Sequence, residues 1–89
     1  MIDAAQIRAA RALLNMSQKD LAELAVLHVA TIRRLEAADG VRGAAETLWK
    51  IEATLEKLGV EFIPANNENG PSVRLRQIPH ARKPTKRKR

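Results

Sequence analysis

Apolar residues in the first 58 positions recur at the spacing of an α-helix, in four short segments bounded by residues that suit helix ends. Asp3 and Ser17 are good N-terminal caps, while Asn15, Gly40 and Gly59 suit the left-handed conformation that often closes a helix. The predicted helices are residues 3–14, 17–26, 29–38 and 45–58. Helices this short are stable only when their apolar faces pack together, so a small helical domain is expected.

Helical spacing gives each predicted helix one apolar face. The residues expected to face the core are Ile7, Ala10, Leu14, Leu21, Leu24, Ala25, Ile32, Leu35, Leu48, Ile51, Leu55 and Leu58. The third helix then directs Arg33 and Arg34 away from the core, and Glu36 lies at the edge of its buried side. Arg11 lies on the apolar stripe of the first helix, where a charged group needs a partner or a path to water.

The apolar spacing changes after Gly59 to the alternation that is typical of strands. Residues 60–63 and 73–76 are predicted strands, and the Asn-rich loop between them is bounded by Pro64 and Pro71. A hairpin is the simplest pairing, but it is marginal alone and needs a helix or a second copy of itself to pack against. The chain therefore divides into a helical domain (1–59), a hairpin (60–76) and a tail (77–89).

The net charge of +6 comes from the tail. Residues 77–89 carry six of the sixteen Lys and Arg residues and none of the ten Asp and Glu residues, so residues 1–76 are neutral overall. The tail has too few apolar residues to fold by itself. It is interpreted as a disordered basic arm that contacts phosphates, the alternatives being a tail that only increases solubility or a remnant of vector sequence.

Composition excludes several classes of protein. The 89 residues leave room for one domain, and the absence of cysteine excludes disulfides and cysteine-based metal sites or nucleophiles. Neither a signal peptide nor a membrane-spanning apolar stretch is evident, so a cytoplasmic protein is expected. The two His residues are isolated, and the sequence has neither a Gly-rich phosphate loop nor an obvious carboxylate pair, so no enzyme activity, metal or cofactor is expected.

Two short helices joined by a tight turn, the second with an exposed polar face, suggest a helix-turn-helix over residues 17–36. The stretch SQKDLAELA at 17–25, followed by TIRRLE at 31–36, resembles the Cro/CI (XRE-type) family of bacterial and phage repressors. The stretch TLWKI at 47–51 is similar to the start of that family's next helix, and the resemblance covers residues 6–58. It implies a mainly α, lambda-repressor-like domain of four to five helices, followed here by the short β-hairpin.

Two features depart from the family pattern. The family usually has Gly at the turn after the second helix, where this chain has Val26. Because a β-branched residue does not favour positive φ, the turn is either built in another way or strained. The family also usually has small or polar residues at positions 28–30, where this chain has His28, Val29 and Ala30. This difference concerns the base contacts more than the fold.

The resemblance implies that the third helix enters the major groove of double-stranded DNA. Arg33 and Arg34 are then expected to contact base edges, or one of them a phosphate; the alternative is a solvated helix face. The small side chains expected at thymine methyl groups are Val29, Ala30 and Thr31. The expected phosphate contacts are Ser17, Gln18, Lys19, His28 and Arg42. Gln18 facing only water, and His28 capping the third helix or facing water, are the alternatives.

Arg11 and Glu36 are predicted to form a structural ion pair. The position of Arg11 implies partial burial, and Glu36 lies at the matching edge of the third helix. The family commonly joins these helices by an Arg–Glu pair, so the resemblance implies the same contact.

A single recognition helix reads few base pairs, so a homodimer on a pseudo-palindromic operator is expected. Two candidate dimer surfaces remain open: Trp49 with its flank on the fourth helix, and the hairpin with Val60, Phe62, Val73 and Leu75. The alternative for Trp49 is a position beneath the hairpin of its own subunit. The leading interpretation is a sequence-specific transcription regulator, either a repressor or a mobile-element controller. The alternatives are an antitoxin that represses its own operon and binds a small toxin protein, and a protein-interaction module that does not bind DNA.

Overall fold

The computed structural model describes residues 2–37 and 45–76 of the chain. It contains the helices α1 (Ala4–Leu14), α2 (Gln18–Ala25), α3 (Val29–Ala37) and α4 (Ala45–Lys57), followed by the antiparallel strands β1 (Val60–Ile63) and β2 (Ser72–Leu75). The predicted mainly helical domain with a C-terminal hairpin is confirmed. Gly40, Arg42 and the tail at 77–89 lie outside the described residues, so the expectations placed on them stay predictions. Within the two described ranges, no helix combines the length and apolar character needed to cross a membrane.

Reciprocal capping boxes begin α1 and α2, because side chains replace the missing helical partners of the first N–H groups. In α1, the Gln6 N–H donates to Asp3 Oδ1 at 2.9 Å and the Asp3 N–H donates to Gln6 Oε1 at 3.1 Å. In α2, the Asp20 N–H donates to Ser17 Oγ at 2.9 Å and the Ser17 N–H to Asp20 Oδ2 at 3.1 Å. The capping box of α2 is therefore the predicted one, and that of α1 adds Gln6 to the predicted cap Asp3.

α1 and α2 end in the same way, with one residue in the left-handed conformation. Asn15 has φ 55° and ψ 48°, and Val26 has φ 59° and ψ 52°. After Val26 the N–H of Leu27 reaches back to the carbonyl of Ala22 at 2.8 Å, which closes the helix. Asn tolerates this conformation, whereas an L-residue with a branched Cβ is strained in it by about 1–2 kcal/mol. The turn therefore keeps positive φ and carries the strain expected for Val26.

The core lies between the helices and the inner face of the hairpin. Its buried residues are Ile2, Ile7, Ala10, Leu21, Ala22, Ile32, Leu35, Leu48, Ile51, Leu55 and Val60. Two core predictions are wrong. Leu24 is 53% exposed, because the buried face of α2 is centred on Ala25 and includes Ala22 instead. Leu58 is 40% exposed, because α4 ends at Lys57 and the tight turn that follows directs the Leu58 side chain away from the apolar stripe.

The hairpin packs one face on the helices. Its register pairs Val60 with Leu75 and Phe62 with Val73, so these side chains share the inner face. Val60 is fully buried, and Phe62 and Val73 are half-buried against the core. On the opposite, polar face, Arg74 Nε lies 2.9 Å from Oε1 of its cross-strand partner Glu61.

Gln6 fastens α1 to the hairpin. Its buried side chain donates from Nε2 to the carbonyl of Ile63 at 3.2 Å and to that of Ser72 at 3.1 Å, which are paired across the last rung before the loop. Its Oε1 accepts the N–H of Asp3, so both ends of the buried amide are hydrogen-bonded. The hairpin was expected to need either a helix or a second copy of itself to pack against, and a helix of the same chain provides this support.

Candidate nucleic-acid interface

On α3, the residues that anchor the helix in the core lie on a different side from the two arginines. Ile32 and Leu35 are 0% and 3% exposed, and they fix the inner side of the helix in the core. Arg33 and Arg34 are exposed, and neither forms a salt bridge within the described parts of the chain. Guanidinium groups carried on a packed helix and free of such partners are available to base edges or phosphates.

The smaller expected base contacts flank these arginines on α3. Ala30 is exposed, and Val29 and Thr31 are half-exposed. Val29 also packs partly against the core, so only part of its side chain is accessible from outside. Methyl groups of this kind suit apolar contact with the methyl group of thymine.

The expected phosphate contacts lie at the start of α2 and in the turn before α3. Ser17 and Lys19 are exposed, and Gln18 is half-exposed. His28 is exposed, and its carbonyl accepts the N–H of Ile32 at 3.4 Å, so its backbone opens the first turn of α3. Gln18 at the start of α2 is hydrogen-bonded to Glu36 of α3, so these accessible polar side chains are carried by two helices that are joined to each other.

Arg11 and Glu36 form the ion pair expected between α1 and α3. Arg11 Nε lies 2.7 Å from Glu36 Oε2, and Arg11 Nη2 lies 2.8 Å from Oε1. The side chain of Glu36 is 3% exposed and that of Arg11 is 20% exposed. The hydrogen bond to Glu36 raises the pKa of Arg11 above its ordinary value, against the opposing effect of burial. The paired geometry satisfies the charge that the apolar stripe of α1 would otherwise leave uncompensated.

Glu36 also has partners that the sequence did not predict. Gln18 Nε2 donates to Glu36 Oε1 at 3.2 Å, so the first residue of α2 is joined to α3. Arg8 Nη1 donates to the backbone carbonyl of Glu36 near the end of α3. Arg11 Nη1 donates to the carbonyl of Met16 at 2.9 Å, in the turn that leads into α2. The pair is therefore the centre of a network that ties α1, α2 and α3 together.

Sequence reasoning missed Arg8 and Gln6, and it assigned Gln18 only to DNA or water. A signal existed for Gln6, because Asp3 followed three residues later by Gln is a capping-box pattern. The position of Arg8 gives no comparable signal, since its acceptor is a backbone carbonyl 28 residues away.

The residues of the two candidate dimer surfaces are not equally accessible. Trp49 is 61% exposed on α4, so it does not pack beneath the hairpin. Val60 is buried in the core of its own chain, because β1 packs its inner face against the helices. The prediction that Val60 belongs to an exposed dimer surface is therefore wrong. Phe62 and Val73 are half-buried, and Leu75 is 43% exposed.

A family model described as helix-turn-helix matches residues 7–62, which is more than half of the chain and includes all of α2, the turn and α3. No curated protein matches the sequence. Within the described ranges, no group of three or more His, Asp or Glu side chains is arranged to hold a metal ion.

Proposed function

The chain belongs to the XRE-type helix-turn-helix family of DNA-binding transcription regulators, and from this we propose that it is a repressor that binds a pseudo-palindromic operator as a homodimer. The observation that carries the proposal is the exposure of Arg33 and Arg34 on a helix anchored from behind by Ile32 and Leu35. Repression is the simplest mechanism for a domain of this size, because occupation of an operator by itself excludes other proteins from the same DNA.

α3 lies in the major groove in the proposed complex, with Arg34 or Arg33 donating two hydrogen bonds to O6 and N7 of a guanine. Ala30, Thr31 and the accessible part of Val29 contact thymine methyl groups. In this arrangement the arginine side chains select bases, and the small side chains allow α3 to approach the bases closely.

The start of α2 contacts the phosphate backbone in the same complex. Ser17 and Gln18 donate hydrogen bonds, and Lys19 contributes charge, together with His28 in the turn and Arg42 from the sequence that follows α3. These contacts set the register of the protein on the duplex and carry no base preference of their own.

The proposal is tested by selecting bound DNA from a random pool with the full chain. We expect a motif made of two inverted half-sites whose centres lie about one helical turn apart. Arg34→Ala is expected to lower operator affinity by about 1–3 kcal/mol and to relax the preference at one base pair. Lys57→Ala, which removes an exposed cation from the end of α4, serves as the control. Recovery of no preferred sequence, or an operator affinity that neither Arg34→Ala nor Arg33→Ala lowers, would contradict the proposal.

The second copy of the homodimer is proposed to pair along the free edge of β2. The Arg76 N–H donates to the Gly59 carbonyl at 2.7 Å, so the next hydrogen-bonded position of the antiparallel ladder is Arg74. The backbone groups of Val73 and Leu75 therefore point away from β1, and within the described residues no other segment forms a backbone hydrogen bond with them. An exposed edge of this kind is a template for another strand.

A two-fold axis at Arg74 suits this edge. It places Val73 opposite Leu75 of the second copy and lets each of these residues exchange two backbone hydrogen bonds. The two copies of Arg74 then face each other, but each is already paired with Glu61, so the group of four charges is neutral. The short edge forms a small interface, so we expect weak dimerisation in solution that DNA strengthens.

Disulfide trapping tests the dimer surface, because the chain has no cysteine. Arg74→Cys is expected to form a covalent dimer under mild oxidation, since directly opposed side chains of a non-hydrogen-bonded pair lie within disulfide reach. Trp49→Cys tests the competing surface on α4, and Lys57→Cys measures random collision. Faster trapping through Trp49→Cys than through Arg74→Cys would move the dimer surface to α4, and trapping of neither above the Lys57→Cys rate would contradict the homodimer.

A further inference from the structure

The buried carboxylate of Glu36 is shared between a structural partner and a residue at the DNA-binding surface. Among the described residues, its Oε2 accepts only from Arg11 Nε at 2.7 Å, whereas its Oε1 accepts from Arg11 Nη2 at 2.8 Å and from Gln18 Nε2 at 3.2 Å. The Arg11 fork therefore fixes the plane of the carboxylate, and the carboxylate in turn holds the end of the Gln18 side chain.

The chemistry of a carboxylate determines which end of the Gln18 amide faces it. An ionised carboxylate only accepts hydrogen bonds, so the NH₂ group of Gln18 must face Glu36 and its carbonyl oxygen must face away. The amide nitrogen has two N–H groups and Glu36 uses one. Within the described residues no other hydrogen bond is made by this nitrogen, and the side chain is half-exposed. One N–H group in a defined orientation is therefore available to an acceptor outside the protein.

We propose that Glu36 is a positioning residue for DNA binding, which acts through Gln18 by holding its amide so that the free N–H is offered to a phosphate oxygen. The inference rests on the proposed function, because it assigns the acceptor to the DNA backbone. Without Glu36 the amide is free to rotate by half a turn, and it then presents its carbonyl oxygen to the negatively charged phosphate. The ion pair thus links the packing of α1 against α3 to the surface at the start of α2.

The contact has a signature that distinguishes it from the other DNA contacts. A phosphate contact carries no base preference, so its loss lowers the affinity for operator and unrelated DNA by the same factor. Gln18 is uncharged, so its loss leaves the slope of log affinity against log salt unchanged, whereas Lys19→Gln reduces that slope. A base contact such as that proposed for Arg34 changes the ratio of the two affinities instead.

A double-mutant cycle in DNA affinity tests the proposal with Gln18→Met, Glu36→Met and the double variant, each measured where urea unfolding shows it to be folded. We expect Gln18→Met to weaken binding about tenfold, the effect of one hydrogen bond to a charged acceptor. Glu36→Met removes the acceptor of the Gln18 amide, so it is expected to weaken binding by a similar factor when Gln18 is present and to have little effect when position 18 is Met. Multiplication of the two single effects in the double variant would overturn the proposal, because Glu36 would then act independently of Gln18.

A measurement on the wild-type chain covers the case in which Glu36→Met does not fold. The side-chain NH₂ signals of Gln18, assigned by their loss in Gln18→Met, are followed by NMR. Any primary amide gives two N–H signals, because rotation about its C–N bond is slow. We expect the signals of Gln18 to lie away from those of an exposed Gln side chain, with the N–H bound to Glu36 protected from exchange with water, and the other N–H signal to shift when operator DNA is added. Signals at the positions of a free Gln side chain, or unchanged on addition of DNA, overturn the positioning role while specific DNA binding persists. Failure of the wild-type chain to bind any preferred DNA would contradict the proposed function itself.

Discussion

Arg11 and Glu36, which lie 25 residues apart on α1 and α3, face each other with two parallel hydrogen bonds of 2.7 and 2.8 Å. The carboxylate is almost closed to water, whereas the guanidinium keeps some exposure. The buried carboxylate of Glu36 therefore depends more on its partner for charge compensation than the guanidinium of Arg11 does. Removal of Arg11 leaves a buried charge, while removal of Glu36 leaves a cation with a path to solvent.

Replacement of Arg11 is the first prediction. Arg11→Met is expected to lower the free energy of unfolding by about 3–5 kcal/mol, because it leaves the Glu36 carboxylate buried and uncompensated. Glu36→Met is expected to cost less, and the double variant is expected to cost less than the sum of the two. Urea unfolding of the three variants measures these differences. The exposed substitution Arg33→Met should change stability by no more than about 0.5 kcal/mol, and additive single effects would contradict the coupling.

The strained turn after α2 gives the second prediction. Val26→Asn is expected to raise the free energy of unfolding by about 1 kcal/mol, because Asn tolerates the positive φ that strains a branched side chain. Val26 is 79% exposed, so the substitution removes little buried surface. Leu24→Asn, two residues earlier and also exposed, is the matched control and should be destabilising by a few tenths of a kcal/mol, roughly the difference in helix propensity. A loss of stability in Val26→Asn would contradict the strain.

The buried amide of Gln6 gives the third prediction. Gln6→Met removes both donors to the hairpin carbonyls and is expected to cost about 1–3 kcal/mol. Gln6→Glu is expected to cost more, because it directs an anion at the carbonyls of Ile63 and Ser72 that now accept from Nε2. Gln, Glu and Met have similar helix propensities. Glu can still accept the N–H of Asp3, so Gln6→Glu keeps the capping box and isolates the hairpin contact, whereas Gln6→Met loses both. Thermal unfolding together with amide exchange of β1 and β2 measures both effects, and equal stability of the three chains would contradict the fastening role.

The surface pair on the hairpin gives a prediction about pH. The hydrogen bond from Arg74 lowers the pKa of Glu61 below its ordinary value. A carboxylate whose pKa is lower when folded contributes stability that is present above the unfolded pKa, about 4.3, and is lost as pH falls through the folded value. The stability difference between the wild-type chain and Glu61→Gln should therefore shrink between about pH 5 and pH 3. Glu68→Gln removes one charge from the same hairpin as a control, and a difference that grows on acidification would contradict the expected sign.

The tail gives the fifth prediction, which rests on the sequence alone. Replacement of its six Lys and Arg residues by Gln should flatten the slope of log affinity against log salt, because fewer counterions are released from the DNA. The base preference of the bound DNA should stay unchanged, since phosphate contacts do not select bases. An unchanged slope would leave only the solubilising or incidental interpretations of the tail.

Much of the fold could be predicted because its signals are local. The caps Asp3 and Ser17 act on N–H groups three residues away, and Ile32 and Leu35 share a face through helical spacing. The exposure of Arg33 and Arg34 follows from the same spacing. The ion pair of Arg11 was also predictable, because a charge on an apolar stripe requires a partner and the family resemblance indicated which one.

The sequence by itself determined where most of the helices begin and end, which side of α3 is buried and that the excess charge lies in the tail. Only the tertiary structure decided that Leu24 is exposed, that Gln6 reaches Ser72 and that Gln18 shares the carboxylate of Glu36. The difference has a physical reason. Caps and helical faces depend on residues three or four positions apart, whereas these contacts join residues separated by up to 66 positions and depend on how the helices and the hairpin pack.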